Sequence, residues 1–587
     1  MTSPVTAPAV EALERTMEHE AVANEIKHWV RLTAACNSKC VFCLDAEAQD
    51  GRILAFEDIC VEIDRGRVEK NATRIVVSGG EASIHPRFAA CVAYAKSAGY
   101  RWVQTVTNGV RYADKAFFDA AVAAGLDEIT FSLHGHTPEL HDRLTRTKNG
   151  FQSLMKAMMR AQRSGRVVVN VDVCINRENV RHLEAIVALC ARVGVKEFDL
   201  LHVIPQGVAF DNRDTLFYDV DAHAEDLRKV FRLARRPDFH IWTNRFPLSH
   251  LEDMEELIQD PHKMLDEVGG RRVQFRRYLD AGTPIDCRDP RRCPHCFIEP
   301  FCSALDAHVT TQNEARFEVW WIGSHLDLAA ARPPGTRWLG VEGAAPTGEG
   351  PLYYVATDDA CRPLPPGSRR VLTTVAHLEA FFSGGGGSPP ATPPPRAGAS
   401  DDVEVHLSAE VCAWLLTHRV PAAVIFHVPT HATMAEAALD PDWAAFFTAY
   451  GACRAQNAPA CLCPGATLER PLRRLDARQF HEQGELAIDA LVDHYIHDLY
   501  RAKSLRCRAC PADRWCAGAQ VQSVRAHGFR QLHPERVDAT MAARVAELYP
   551  ETPRLKDGAP ALGGAVLVPV AGMPPVPFID VGEGRRS

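Results

Sequence analysis

Three cysteines stand within eight residues near the start of the chain. Cys36, Cys40 and Cys43 are spaced C-x3-C-x2-C in the segment RLTAACNSKCVFCLD, residues 31–45. Thiolates bind iron–sulfur clusters, and a short loop that supplies three of them leaves one iron of a [4Fe-4S] cluster without a protein ligand. That open iron can bind and activate a cofactor. The spacing alone leaves two alternatives open, a zinc site completed by a distant residue and a chance grouping.

Two further cysteine groups lie downstream. The first is spaced C-x5-C-x2-C-x5-C and consists of Cys287, Cys293, Cys296 and Cys302. The second repeats C-x2-C-x5-C in Cys507, Cys510 and Cys516, and we assign Cys463 as its fourth ligand while leaving Cys461 open as the alternative. Four thiols are a complete ligand set for a [4Fe-4S] cluster or for structural zinc. We interpret the remaining seven of the nineteen cysteines as small buried hydrophobic residues: Cys60, Cys91, Cys174, Cys190, Cys361, Cys412 and Cys453.

The first part of the chain alternates between strand-like and helix-like segments. Apolar, β-branched runs of strand length occupy residues 28–34, 73–80, 102–109, 128–135, 167–176 and 196–205, with segments of helical period between them. Such repeats predict a parallel sheet with right-handed crossovers. We therefore predict an α/β fold in which a partial (β/α)6 barrel precedes C-terminal α+β cluster-binding modules. Chemistry in such a barrel gathers at the C-terminal ends of its strands.

Glycine and polar residues mark the ends of these predicted strands. Gly79, Gly80 and Glu81 follow the second strand, and glycines there permit a close approach of the backbone to a ligand. Four later strand ends supply further candidates, each of which is also typical of a turn or a cap: Asn108, Ser132, Asn176 and Ile204. The histidines of HGHTPELHD, residues 134–142, lack the spacing of a helical metal pair and are expected on a loop surface.

The cysteine loop and the strand ends together resemble the radical S-adenosylmethionine (radical SAM) superfamily over about residues 25–210. That family carries an aromatic residue before its last loop cysteine, here Phe42, and a GGE-type motif after its second strand, here Gly79, Gly80 and Glu81. The resemblance implies that the three loop cysteines bind a [4Fe-4S] cluster. It also implies that Glu81 accepts a hydrogen bond from the ammonium group of S-adenosylmethionine. Four further residues are implied contacts of that cofactor: Asn108, Ser132, Asn176 and Ile204.

The two downstream cysteine groups resemble the SPASM and twitch extensions, which bind auxiliary [4Fe-4S] clusters in radical SAM enzymes. The usual SPASM core continues with a further cysteine, and the corresponding positions here are Asp306 and Gln520. This departure implies one cluster in each group, giving two auxiliary clusters. Zinc remains the alternative for both groups.

Radical chemistry is what the resemblance implies. In this family a low-potential donor such as flavodoxin or ferredoxin supplies an electron, S-adenosylmethionine splits, and the resulting 5'-deoxyadenosyl radical abstracts a substrate hydrogen. Auxiliary clusters suit a net oxidation, so the leading interpretation is an oxidoreductase that matures a ribosomally made peptide or protein. One alternative is a small-molecule or cofactor-biosynthesis dehydrogenase. Another, of a different class, is a non-catalytic zinc-stabilised scaffold or binding protein.

Length and composition limit these interpretations. A chain of 587 residues exceeds the size of a single hydrophobic core, and 46% hydrophobic with 24% charged residues is ordinary for globular proteins. A formal net charge of -8 disfavours a nucleic-acid partner. No signal-peptide pattern and no run of 18 apolar residues occurs in the sequence, so we expect a cytoplasmic protein without a membrane partner.

Changes in pattern divide the chain into seven predicted segments. They are an N-terminal tail (1–24), the partial barrel (25–210), a helical extension with the first downstream cysteine group (211–310), a small β-containing insert (311–382), a Gly/Pro-rich flexible linker (383–402), a C-terminal auxiliary cluster module (403–557) and an irregular tail (558–587).

Overall fold

The computed structural model describes residues 27–343, 350–357, 359–383, 402–481 and 484–549. They form two compact units. Of the described residues, the first unit contains 27–260 and 291–297, and the second contains 261–290 and those from 298 onward. The predicted tails and the interior of the predicted linker lie outside the described residues. Within the described ranges, no helix is long and apolar enough to cross a bilayer.

The first unit is built on a sheet of seven parallel strands that lie side by side in chain order. They are β1 (Lys27–Thr33), β2 (Arg74–Gly79), β3 (Trp102–Thr107), β4 (Glu128–Ser132), β5 (Val168–Ile175), β6 (Glu197–His202) and β7 (His240–Asn244). The α-helices of this unit are α1 (Phe56–Val68), α2 (Phe88–Ser97), α3 (Lys115–Ala123), α4 (Pro138–Thr145), α5 (Gly150–Ser164), α6 (Leu183–Val193), α7 (Val208–Asp211), α8 (Arg213–Leu216) and α9 (Ala224–Phe231). The curled α/β partial barrel predicted from the repeats is confirmed, with β7 as an additional strand beyond the predicted boundary at residue 210.

Local sequence explains where several of these elements begin. Asp114 and Thr137 precede α3 and α4, and their side-chain oxygens accept hydrogen bonds from backbone N–H groups of the first turn. Pro138 occupies the start of α4, where no intrahelical hydrogen bond is lost. Residues 128–131 of β4 are buried on both faces of the sheet, as expected for a central parallel strand.

A buried charge network joins the N-terminal ends of the central strands. The Glu128 carboxylate accepts hydrogen bonds from Arg74 Nη2 at 2.9 Å, Trp102 Nε1 at 2.7 Å and Asn170 Nδ2 at 2.6 Å. The side chains of Arg74 and Glu128 are only 13% and 6% exposed. Buried charges are tolerated where they are paired and hydrogen-bonded. The network therefore ties β2, β3, β4 and β5 together at the end opposite the cysteine loop.

The second unit is built on a sheet of nine parallel strands in the order β15-β14-β13-β12-β11-β10-β9-β8-β16. They are β8 (Val319–Gly323), β9 (Trp338–Glu342), β10 (Leu352–Val355), β11 (Arg369–Leu372), β12 (Asp402–His406), β13 (Ile425–His427), β14 (Cys453–Gln456), β15 (Ala466–Glu469) and β16 (Arg474–Asp476). A short antiparallel pair, β17 (Arg501–Ala502) and β18 (Ala519–Gln520), is separate from this sheet. The α-helices are α10 (Met264–Gly269), α11 (Arg272–Ala281), α12 (Glu299–Asn313), α13 (Val375–Ser383), α14 (Ala409–Thr417), α15 (Met434–Ala437), α16 (Trp443–Tyr450), α17 (Ile488–His494), α18 (Val521–His527) and α19 (Ala539–Leu548).

The connection between β15 and β16 shows that this second sheet is strongly curled. These two strands lie at opposite edges of the sheet, yet only residues 470–473 separate them. Five residue steps span at most about 18 Å, whereas the edges of nine flat strands would lie about 38 Å apart. Glu318, which precedes β8, holds the connection by accepting hydrogen bonds from Arg470 Nη2 and the Arg473 N–H, both at 2.9 Å.

The second sheet corrects two expectations about chain organisation. β11 falls in the predicted insert and β12 at the start of the predicted C-terminal module, yet they pair from Arg369–Asp402 to Leu372–Val405. Residues 383–402 therefore connect neighbouring strands of one sheet instead of separating two modules. The unit is also parallel α/β where α+β modules were predicted. Its strands have only three to five residues, so each is too short to show the alternation of apolar and polar residues by which a strand is recognised in a sequence.

Candidate functional site

The cysteine loop, residues 36–43, follows β1 at the C-terminal rim of the first sheet. Its three cysteines are each partly exposed. The backbone N–H groups of Lys39 and Val41 donate to the carbonyls of Thr145 and Leu144, at 3.0 and 2.9 Å. These two hydrogen bonds hold the loop against the end of α4. The fold therefore presents the three thiols on a fixed segment of backbone.

The two glycines after β2 pack against the chain leading into the cysteine loop. A Cβ on Gly80 would lie 2.3 Å from the carbonyl oxygen of Ala35, and one on Gly79 would lie 2.4 Å from that of Thr33. The Gly80 and Glu81 N–H groups donate to the same two carbonyls, Thr33 at 2.8 Å and Ala35 at 2.9 Å. Gly79 also has a φ of +145°, which side chains disfavour. These glycines were expected to let the backbone approach a ligand closely. In the structure, the backbone that they approach is that of Thr33 and Ala35.

Glu81 is buried, with 3% of its surface exposed, and its carboxylate accepts hydrogen bonds from neighbouring strand ends. Oε1 accepts from the Ser83 N–H at 3.2 Å, Ser83 Oγ at 2.5 Å and Thr107 Oγ1 at 2.7 Å. Oε2 accepts from the Asn108 N–H at 2.8 Å. Burial raises the pKa of Glu81. The carboxylate joins the exits of β2 and β3, and Oε2 retains one acceptor position for a further donor.

Asn108 contacts the cysteine loop directly. Its Nδ2 donates to Asn37 Oδ1 at 2.6 Å and to Ser38 Oγ at 3.0 Å. Thr147 Oγ1 donates to the same Ser38 hydroxyl at 2.8 Å. Sequence reasoning missed Asn37, Ser38 and Thr147, although the first two lie between Cys36 and Cys40. This network fixes the loop relative to the end of β3.

Phe42 packs edge-on against His134, with ring centroids 4.6 Å apart. His134 and His141 are 5% and 1% exposed, so their predicted position on a loop surface is wrong. His134 Nδ1 accepts from the Cys174 N–H at 3.2 Å, and the His134 N–H donates to His141 Nδ1 at 3.2 Å. Burial lowers the pKa of His134 to about 3 and that of His141 to about 4. Both imidazoles are therefore neutral at pH 7 and support the backbone beneath the loop.

Two of the remaining strand-end candidates differ in exposure. Ser132 ends β4 and is partly exposed. Asn176 is fully buried, its Oδ1 accepts from the Glu178 N–H at 3.0 Å and its Nδ2 donates to the Cys174 carbonyl at 3.0 Å. These hydrogen bonds are typical of a turn residue, and a contact of Asn176 with the cofactor stays a prediction.

Ile204, the last strand-end candidate, lies in a segment that packs on the cysteine loop. Its side chain is 7% exposed. Three residues later, Gly207 approaches the loop so closely that a Cβ would lie 2.4 Å from the Cys43 carbonyl oxygen. The Val208 N–H donates to that carbonyl at 3.2 Å. The segment after β6 thus contacts the last residue of the loop, Cys43, whereas the end of α4 contacts Lys39 and Val41.

Burial raises the pKa of all three loop thiols. The pKa of Cys36 rises to about 11, chiefly through burial, and the nearby Glu81 carboxylate adds to the rise. Burial is also the main cause for Cys40 and Cys43, and the charge of Cys174 on β5 contributes at Cys40. A cationic group that displaces the protons would stabilise these sulfurs as thiolates. The donor set therefore fits a cluster held by three thiolates.

Four cysteines of the second unit line one pocket, here called the thiol pocket: Cys461, Cys507, Cys510 and Cys516. Burial raises the pKa of Cys461 to about 12, and the charges of the other three thiols add to this rise. Cys463, the predicted fourth ligand, is fully buried, and the thiols that raise its pKa are Cys453 and Cys461.

Cys461 lines the thiol pocket and Cys463 does not, which favours the alternative fourth ligand over the predicted one. The reason is local geometry. Residues 460–462 form one 3-10 turn, and side chains two residues apart point in different directions from such a turn. Sequence spacing contained no signal for this choice.

Gln520 and Asp306 stand where a SPASM core has a further cysteine, and each forms hydrogen bonds or an ion pair within the second unit. Gln520 Oε1 caps α18 by accepting from the Gln522 and Ser523 N–H groups, at 3.0 and 3.2 Å. The Asp306 carboxylate accepts from Tyr278 Oη at 2.6 Å and pairs with Arg288 at 2.5 Å. Both side chains contribute to packing and hydrogen bonding in the second unit.

The first downstream cysteine group is divided between the two units. Cys293 and Cys296 belong to the first unit, whereas Cys287 and Cys302 belong to the second. A shared site for these four cysteines therefore stays a prediction from their spacing.

A parallel partial barrel with a three-cysteine loop after its first strand is typical of enzymes that hold a cluster and a small cofactor at the strand ends. Residues 30–190 match the family model described as Radical SAM superfamily. This part of the chain is accordingly a radical SAM domain, which confirms the resemblance found in the sequence.

Two curated relatives share this part of the chain. A probable GTP 3',8-cyclase of Saccharolobus islandicus is 31% identical over 193 residues, which cover 32% of this chain and 61% of that protein. The mycofactocin maturase MftC of Mycolicibacterium smegmatis is 30% identical over 204 residues, covering 34% of this chain and 49% of that protein. The chain thus spans about half to three fifths of the length of these relatives.

Solved structures also align with part of the chain. SuiB of Streptococcus suis bound to precursor peptide SuiA aligns with 13% identity and a TM-score of 0.33, over 43% of this chain and 55% of that one. The structure of anSMEcpe with bound AdoMet and Kp18Cys peptide aligns with 15% identity and a TM-score of 0.30, over 35% of this chain and 59% of that one.

Proposed function

We propose that this protein is a radical SAM oxidoreductase that oxidatively modifies a ribosomally made peptide or protein. The observation that carries the proposal is the thiol pocket, because a radical SAM domain needs only its own loop cysteines to hold its cluster. A second [4Fe-4S] cluster in that pocket suits a net oxidation, since a substrate radical must lose an electron to become a stable product. The similarity to a maturase supports the choice of substrate class.

When bound, the cluster and S-adenosylmethionine supply the radical that removes a substrate hydrogen. The three loop cysteines would hold the cluster. Asn108 holds the loop in place through its hydrogen bonds to Asn37 and Ser38. The remaining acceptor position of Glu81 Oε2 is available to the ammonium group of the cofactor. The parallel barrel positions these groups on rigid strand ends and limits the access of water.

The auxiliary cluster would be held by Cys461, Cys507, Cys510 and Cys516. Lys503 and Asp513 also line this pocket, and Lys503 Nζ pairs with the Asp513 carboxylate at 2.9 Å. A neutral pair beside the thiolates adds no net charge to the site. The proposal further assigns a low-potential electron donor, such as flavodoxin or ferredoxin, as a partner of the reaction.

A second candidate function is a radical reaction on a small molecule. The similarity to a probable GTP 3',8-cyclase favours it, because that relative is 31% identical to this chain over 193 residues. Incubation of the reduced enzyme with S-adenosylmethionine and either GTP or candidate peptides from neighbouring genes separates the two. Consumption of GTP would favour the second candidate, and a mass decrease of a peptide by hydrogen loss would favour the first.

The thiol pocket is tested by two neighbouring substitutions, Cys461→Ala and Cys463→Ala. Each [4Fe-4S] cluster contains four iron atoms, so the first change should remove about four iron and four sulfide per chain. It should leave cleavage of S-adenosylmethionine to 5'-deoxyadenosine measurable, because the loop cysteines are intact, and it should abolish product formation. Iron, acid-labile sulfide and zinc are measured on protein purified without oxygen.

Cys463→Ala is the matched control, since it deletes a buried thiol two residues away. It should retain the iron content of the unmodified protein. A second control, Cys36→Ala with Cys40→Ala and Cys43→Ala, should abolish cofactor cleavage but keep the auxiliary iron. The proposal fails if Cys461→Ala keeps all its iron, or if zinc replaces iron in the unmodified thiol pocket.

A further inference from the structure

A cluster of two histidines and a glutamate lies on the second sheet, on strands that carry none of the thiol-pocket cysteines. Glu404 and His406 belong to β12, and His427 is the last residue of β13. In the parallel register His406 stands opposite His427, and Glu404 stands opposite Ile425. Because side chains alternate along a strand, Glu404, His406 and His427 share one face of the sheet.

The donor atoms of these three side chains converge. His406 Nε2 lies 2.9 Å from Glu404 Oε1, and His427 Nδ1 lies 3.4 Å from the same oxygen. The two imidazole centroids are 4.4 Å apart. One donor atom from each residue lies within 4.8 Å of the others, which among the described residues is true of this group alone. Ligands bound at 2.0–2.1 Å around a tetrahedral zinc ion are about 3.3 Å apart, close to the separations of 2.9 and 3.4 Å found here.

A second layer of polar groups orients the Glu404 carboxylate. Tyr353 Oη donates to Glu404 Oε1 at 2.7 Å, and Arg369 Nη1 lies 3.5 Å from Glu404 Oε2. Metal-binding carboxylates are usually held by such neighbours, which fix the ligand oxygen. Here Arg369 occupies the Oε2 side, so Oε1 is the ligand atom.

The Glu404 carboxylate is buried and its two oxygens have different surroundings. Glu404 is 1% exposed, and its Oε1 faces Tyr353, His406 and His427 at once. Arg369 Nη1 lies beside Oε2, at 3.5 Å. Two imidazoles that converge on one buried carboxylate oxygen match the ligand arrangement of a transition-metal site.

We propose that Glu404, His406 and His427 bind one divalent transition-metal ion of the zinc type. Two imidazoles and one carboxylate are a ligand set that such ions accept, and it leaves a coordination position open. The site stands at the C-terminal ends of parallel strands, where barrels of this kind place ligands. The second unit therefore carries a ligand-accepting metal site of its own, independent of the radical chemistry in the first unit.

The test measures zinc on the full-length protein with its iron–sulfur clusters in place, after equilibration with micromolar Zn²⁺ and desalting. The unmodified protein should retain one zinc ion per chain, and His406→Gln should bind it at least tenfold more weakly. His406 is 34% exposed, so this substitution perturbs the fold least. Co²⁺ added in place of Zn²⁺ should give visible absorption of a nitrogen and oxygen site, without the intense near-ultraviolet band of thiolate ligation.

His418→Gln is the matched control, because His418 stacks on Trp414 and lies outside the cluster. It should keep the zinc. Glu404→Gln provides a second ligand variant that keeps the side-chain shape, and thermal unfolding reports whether each variant is folded. The proposal is overturned if the unmodified protein binds no zinc at micromolar concentration, if both ligand variants bind it as well as the control, or if Co²⁺ shows thiolate ligation only.

Discussion

Replacing Gly80 by alanine should destabilise the first unit even without any cofactor. The new methyl carbon would lie 2.3 Å from the Ala35 oxygen, 2.7 Å from the Ala35 carbonyl carbon and 3.1 Å from Cys36 Cβ. Ordinary contacts begin near 3.4 Å, so the backbone on one side must retreat by about 1 Å. Such a shift also weakens the hydrogen bonds from the Gly80 and Glu81 N–H groups to Thr33 and Ala35.

The expected cost adds two contributions. Overpacking of this kind costs about 1–3 kcal/mol, and two weakened backbone hydrogen bonds cost about 1 kcal/mol each. A total of about 4 kcal/mol lowers the melting temperature of a unit of this size by about 8–16 °C. Differential scanning calorimetry of the cluster-free protein measures this shift. Iron content after reconstitution should fall as well, because Cys36 moves with Ala35.

Gly269→Ala is the control, because a Cβ there meets no atom within 4 Å. If the glycines after β2 served only to admit a ligand, Gly80→Ala would leave the cluster-free protein as stable as the control and would weaken only cofactor binding. An unchanged melting temperature would therefore refute the contact described here.

Two other predictions concern buried charge and pH. Glu128→Leu removes the carboxylate that pairs with the buried Arg74 and should cost about 3–5 kcal/mol in urea unfolding. Glu128→Leu combined with Arg74→Met should cost less than the single change, and equal costs would contradict the pairing. His134 has a pKa of about 3 when folded and about 6.5 when unfolded, so the unfolded state binds more protons and stability should fall as pH drops from about 7 to 4. His134→Gln should reduce this slope by up to about 1.4 kcal/mol per pH unit, and an unchanged slope in urea titrations would show that other groups cause it.

The barrel and its cysteine loop were predictable because their signals are local and repeated. Six strand-like runs alternate with helical periods, and the polar residues that close the strands meet at one rim by the geometry of parallel sheets. Glu81 and Asn108 were predicted this way, since each lies within two residues of the end of a strand. What each one contacts was not readable, because Asn37 and Thr147 approach from segments far apart in the sequence.

The second unit was harder to predict for physical reasons. Its strands are too short to show a period, and β11 and β12 pair across a Gly/Pro-rich segment that resembles a boundary between domains. The choice between Cys461 and Cys463 depends on the direction of side chains in a single turn. The cluster of Glu404, His406 and His427 depends on the register of two strands, which spacing in the sequence does not specify.

The position of β16 also affects how the second sheet is completed during synthesis. β8 is made well before β16, so one row of its backbone N–H and C=O groups stays unpaired until residues 474–476 leave the ribosome. Unpaired strand edges attract other chains and promote aggregation. A protein truncated before residue 474 should therefore associate with its own copies through β8. The three residues of β16 thus cover the edge of β8 as soon as they pair with it.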